Sequence, residues 1–91
     1  MSWDIRQTRR FIRIYKSLQD NVASGVDMAV VEIARTPDIG EKKGDLASLW
    51  VYKFRCLGQL YLPGYTRDDS VRLVYLEALG PRENFYRDVK R

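Results

Sequence analysis

Histidine is absent from this 91-residue sequence, and cysteine occurs once, at Cys56. An internal disulfide is therefore impossible, and catalysis by Ser-His-Asp or Cys-His groups is excluded. A zinc site built from the usual ligands is not expected, nor is any cofactor. Long apolar runs are missing as well, since no stretch approaches the ~20 residues that a membrane span requires. In the first sixteen residues Arg6, Arg9, Arg10, Arg13 and Lys16 interrupt the apolar positions, which leaves no h-region for a signal peptide. The chain is expected to stay in the cytoplasm, with no membrane partner. No internal repeat or low-complexity tract is visible.

What is present is an ordinary globular balance with a cationic excess. Hydrophobic residues make up 45% and charged residues 31%, and the net charge of +4 points to an anionic partner, either a nucleic acid or an acidic protein. A chain this short buries about two-thirds of its unfolded surface and cannot support two cores, so residues 1–91 are read as one domain.

Ser2 to Arg6 is short enough to be a pairing strand. Phe11, Ile14, Tyr15 and Leu18 then recur at i, i+3, i+4 and i+7, one face of a helix, while Arg9, Arg10, Arg13 and Lys16 fall mainly off that stripe. Asp20-Asn21 marks a break and an N-cap before a second stripe of Val22, Val26, Ala29, Val30 and Ile33, which stops before Thr36-Pro37. The two helices are expected to form a hairpin. Asp38 to Ala47, with two glycines and Lys42 and Lys43, reads as a loop.

From Leu49 the period changes to two. Trp50, Tyr52 and Phe54 alternate with Val51, Lys53 and Arg55, giving one aromatic face and one that carries two cations about 7 Å apart, close to the spacing of backbone phosphates. A solvated sheet face decorated with lysine and arginine is the plain alternative. The aromatics are most simply core, packed on the helix hairpin. Gly58 marks a turn, Gln59 to Tyr65 a second strand cut short or bulged at Pro63-Gly64, Thr66 to Ser70 a polar turn, and Val71 to Leu79 a third strand, in which Arg72 is a further candidate for the cationic face. Such short connections imply an antiparallel meander, and the whole reads as an α+β domain with helices on one sheet face.

Behind the Gly80-Pro81 break stand Arg82, Glu83, Tyr86, Arg87 and Lys90. Arginine and lysine can hold phosphate, and tyrosine can stack on a base or handle a proton. The bland reading of the same segment is an amphipathic helix with a solvated basic face.

The chain resembles the RelE/ParE superfamily of bacterial toxins from type II toxin–antitoxin modules, in particular its mRNA interferase branch. The resemblance runs over nearly the whole length. Its most specific pieces are Lys43-Gly44-Asp45-Leu46-Ala47 leading into Trp50-Val51-Tyr52-Lys53-Phe54-Arg55, and the ending Gly80-Pro81-Arg82-Glu83-Asn84-Phe85-Tyr86. The resemblance implies a RelE-like fold with an N-terminal strand, a helix hairpin, a three-stranded meander and a short C-terminal helix. It implies metal-independent cleavage of mRNA, with the ribosome and a cognate antitoxin as partners and a higher-order complex that binds operator DNA through the antitoxin. The implied catalytic group is Arg82, Tyr86, Lys53 and Glu83, with Arg55, Lys42, Lys43, Arg87 and Lys90 binding RNA. The sequence departs from the pattern in three places: Arg82 or its neighbour stands where many relatives have histidine, a second lysine falls at Val51, and an arginine is replaced near Gln59-Leu60. The general base is left open among Tyr86, Lys53 and Glu83, side-chain types whose free pKa values of about 10, 10.4 and 4.3 are poorly matched to neutral pH. A gyrase-binding toxin of the ParE type on the same fold, or a simple interaction module, is the competing reading; neither requires the cationic set.

Overall fold

A computed structural model describes residues 2–44 and 48–89. The helix hairpin forms where the apolar spacing places it. Helix α1 (Arg9–Lys16) starts at Thr8, whose Oγ1 accepts a hydrogen bond from the Phe11 amide, and α2 (Asp20–Arg35) follows after a three-residue break. The cap position of α2 is Gln19 and makes no side-chain cap bond; Asp20 is the first helical residue, where its charge suits the positive end of the helix dipole.

Among the described residues six strands form one sheet, in the order β1-β6-β5-β3-β2, with β4 also paired to β5. Strand β1 (Asp4–Gln7) lies parallel to β6 (Leu73–Pro81), and β5 (Gln59–Asp68) runs antiparallel to β6. The meander is therefore larger than the sequence pattern suggests. Part of the expected 38–47 loop is ordered: a 3-10 turn spans Pro37–Ile39, and β2 (Glu41–Lys43) pairs antiparallel with β3 (Leu49–Val51). Asp45 to Ala47 lie outside the described residues.

The alternating stretch from Leu49 is two strands, β3 and β4 (Phe54–Cys56), rather than one. Its offset against β5 is the same on both sides of the gap, Trp50 opposite Tyr65 and Phe54 opposite Tyr61. Pro63 supplies the cause of the gap. Tyr52 donates its amide to the Pro63 carbonyl at 3.1 Å, and proline has no N–H with which to return the bond. The ladder is interrupted without a change of face.

The sheet is covered on both faces, not on one. Phe11, Val26 and Ile33 from the hairpin pack with Tyr65, Val74 and Leu76, and Trp50, Tyr52 and Phe54 border this cluster. On the other face Phe85 of α3 (Arg82–Val89) is buried with Leu49, Val51, Leu62 and Ala78. A β-bulge changes which residues of β6 face each side. Gly64 pairs with Ala78 and Tyr65 with Leu76, leaving Glu77 as the extra residue on β6, so that Leu76 faces the hairpin while Ala78 faces α3.

Candidate functional site

Helix α3 is held to the sheet by one aromatic plug. The Phe85 ring is only 2% exposed and sits over Gly64, where an added Cβ would lie 2.9 Å from Phe85 Cζ and 3.3 Å from Leu49 Cδ2. A side chain at residue 64 would displace the ring, so glycine sets how closely α3 approaches. Tyr86 follows Phe85, edge-on to it with ring centroids 5.2 Å apart.

Arg82, Glu83 and Tyr86 are brought together by helical spacing. They line one wall of an open cleft of about 490 Å³, and Gln59 and Leu60 of β5 line the other. Gln59 Nε2 donates to Glu83 Oε1 across it at 3.3 Å. Arg82 is exposed and, among the described residues, makes no ion pair with a carboxylate. The Gly80-Pro81 break is no break in the chain path, because β6 runs through Pro81 directly into α3.

The cationic strand face borders the same side. Arg55 lies opposite Leu60 in the β4–β5 ladder, so both side chains leave the face that carries α3. Lys43 lies opposite Leu49 on that face, with Nζ 5.9 Å from the Tyr86 ring centroid and 2.9 Å from Glu41 Oε1. Lys53 lines a neighbouring cleft with Glu41 and Val51. The hydrogen bond from Lys43, then its charge, hold the Glu41 carboxyl below the usual range against a smaller opposing effect of burial, and the charge of Lys53 adds to this. Val51, where the resemblance would place a second lysine, is core at 1% exposure.

Two expected site residues are not assembled with these. Lys42 pairs with Trp50 and so faces the opposite side of the sheet from Lys43; it lines a cleft with Asp38, Trp50 and Arg67. Arg87 is exposed, hydrogen-bonded to Asn84 Oδ1 at 2.8 Å, and does not line the α3 cleft. Lys90 lies outside the described residues. Arg72 does not join the strand face either: it sits in the β5–β6 turn at φ 53°, its guanidinium 5.6 Å from the Trp3 ring centroid.

Residues 5–90 match the family described as ParE-like toxin of type II bacterial toxin–antitoxin systems. The chain belongs to this family, within the RelE/ParE superfamily. Comparison with curated proteins finds no match. Among solved structures, free E. coli RelE with two arginine-to-alanine substitutions superposes with a TM-score of 0.80 at 20% identity, over 99% of this chain and 92% of that one. A RelBE toxin–antitoxin complex from Mycobacterium tuberculosis gives 0.76 at 20% identity, over 90% and 100%. The intact E. coli RelBE complex gives 0.71 at 19%, over 87% and 95%. At such identities the likeness establishes the RelE fold and leaves the chemistry of this ParE-like toxin to its own residues.

Gln59 is the site residue that sequence reading missed as a participant. Its partner is 24 positions away, and nothing local in the sequence signals a contact made by sheet and helix together.

Proposed function

We propose that this toxin arrests translation as an endoribonuclease that cleaves mRNA on the ribosome, and that a cognate antitoxin keeps it silent. The observation that carries the reading is the open cleft at α3. It gathers Arg82, Glu83 and Tyr86, with Arg55 and Lys43 on the adjoining sheet face. Such a surface suits a polyanion with stackable bases.

In this reading the ribose 2′-oxygen attacks its own 3′-phosphate, giving a cyclic phosphate and a 5′-hydroxyl. Alignment of the nucleotide and positive charge near the developing phosphorane lower the barrier. Arg82 supplies that charge at the cleft wall. Lys53 and Arg55 hold flanking phosphates, and Tyr86 stacks on a base with its ring fixed by Phe85 and Lys43. The cleft is open and lined by exposed and half-buried side chains, so the ribosome supplies the remaining alignment of the mRNA.

Arg82→Ala is expected to abolish mRNA cleavage and growth arrest while the protein stays folded, because an exposed arginine contributes little to stability. Cleavage of end-labelled mRNA in a translating bacterial extract checks this, alongside thermal unfolding. Undiminished arrest by a folded Arg82→Ala protein sinks the assignment. Inhibited DNA supercoiling with intact mRNA would favour a gyrase-directed toxin instead.

The antitoxin belongs to the same reading. Solved relatives include toxin–antitoxin complexes, and this chain presents Arg9, Arg10 and Arg13 exposed on α1, a surface suited to acidic residues of a partner. Co-expression with the cognate antitoxin should restore growth.

A further inference from the structure

We propose that Glu83 is the general base of the cleavage step, and that Gln59 is the positioning residue that aims its carboxylate. This rests on the ribonuclease reading of the α3 cleft.

The argument begins with which candidates face the reacting region. Lys53 lines the neighbouring cleft beside Glu41, and Lys43 is ion-paired to Glu41 at 2.9 Å, so neither shares the cleft wall with Arg82. Tyr86 does share it, but in this reading its ring is the base-stacking surface, fixed by Phe85 and Lys43. A carboxylate is the one candidate type already in its basic form at neutral pH.

A carboxylate in an RNA-binding cleft otherwise works against function, since it repels the phosphate that Arg82 attracts. Glu83 stands in the first turn of α3, where its charge suits the helix dipole, but that role alone needs no partner across the cleft. Glu83 has one: Gln59 Nε2, from the first residue of β5, reaches its Oε1 at 3.3 Å. The charged and titratable groups on the elements around it include Arg82, Tyr86 and, one helical turn on, Arg87 of α3, and Arg55 on β4, opposite Leu60. Gln59 is neutral, so it orients the carboxylate without taking its charge away. With Oε1 engaged, Oε2 remains to accept a proton.

In the proposed step Glu83 Oε2 takes the proton of the ribose 2′-hydroxyl as the 2′-oxygen bonds to phosphorus. The bond from phosphorus to the 5′-oxygen breaks, and the leaving oxygen takes a proton from water in the open cleft. The Glu83 carboxylic acid then returns its proton to solvent. Products are the 2′,3′-cyclic phosphate and the 5′-hydroxyl, with no net change in charge on the protein.

The test measures single-turnover cleavage of mRNA on purified bacterial ribosomes by full-length variants, across pH, with folding checked by thermal unfolding. Glu83→Gln should lower the maximal rate roughly 10²- to 10³-fold with little change in the ribosome concentration for half-maximal rate. Glu83→His should recover part of the rate and move the acid limb of the pH–rate profile upward. Gln59→Ala should lower the rate roughly 2- to 12-fold at unchanged half-saturation, and have no further effect in the Glu83→Gln background. If Glu83→Gln cleaves within about threefold of wild type while Arg82→Ala is inactive, the base assignment is wrong and the ribonuclease reading stands. Additive losses in the double variant overturn the role of Gln59. Intact mRNA with the wild-type toxin overturns the ribonuclease reading itself.

Discussion

At the scale of single residues a strained position stands beside the cleft, next to Gly58. The β4–β5 hairpin turns through Leu57 and Gly58, with φ of 53° and 75°, so both central residues are left-handed, as a type I′ turn requires. Gly58 is suited to this, whereas Leu57 is 69% exposed and carries a branched side chain in a conformation that costs an ordinary L-residue roughly 1–2 kcal/mol. Leu57→Asn is expected to stabilise the fold by about 1 kcal/mol, because asparagine tolerates this region. A urea titration checks the value, and an unchanged midpoint would show that the turn relaxes around leucine at no cost. The sequence made Gly58 legible as a turn, since glycine announces positive φ. It could not reveal the strain at Leu57, because φ is imposed by the two-residue connection between paired strands. Arg82, Glu83 and Tyr86 were legible together for the converse reason: Tyr86 is four residues from Arg82 and three from Glu83, spacings that bring it beside both on a helix whatever the tertiary structure.

At the scale of elements the helix hairpin was readable because its apolar stripes repeat over several turns. Strand β2 was not. Glu41–Lys43 is three charged residues beside glycines, and it is a strand only because β3 lies alongside to take its hydrogen bonds. The aromatic and cationic faces from Trp50 to Arg55 were assigned correctly although the strand itself is divided, since Pro63 removes a bond without shifting the register. Placement of α3 depends on another contact hidden from local pattern, Phe85 over Gly64. Gly64→Ala should cost about 1–3 kcal/mol through overpacking and should also reduce mRNA cleavage, because the displaced ring carries Arg82, Glu83 and Tyr86 with it. Thermal unfolding and cleavage are to be measured on one sample; loss of stability with full activity would separate the plug from the site.

At the scale of the whole molecule Tyr65 joins the layers. Its hydroxyl donates to the Pro37 carbonyl and accepts from the Gly40 amide at 3.1 Å, tying the 3-10 turn to the central strand, while its ring stacks on Trp50. Burial pushes the phenol above its ordinary value, against the opposing effect of the Gly40 amide. The folded state thus holds this proton more tightly than the unfolded chain. The resulting stability is fully present below pH ~10 and is lost as pH rises through the folded value. Tyr65→Phe should destabilise by about 1–3 kcal/mol at pH 8, by leaving the turn groups without their partner, and should flatten the alkaline decline. Denaturant midpoints at pH 8 and 11 check both; an equally steep decline in the variant would assign the alkaline loss to other groups.

The parallel pairing of β1 with β6 gives the molecule a history as well as a shape. Thr8 bonds to Leu76, 68 positions further along the chain. At 5–20 residues per second, roughly 3–14 s of synthesis separate the two partners. Throughout that interval β1 has nothing to pair with, and the sheet that seats α3 is unfinished. In a chain built this way the α3 cleft, on which the proposed cleavage depends, is among the last parts to be assembled.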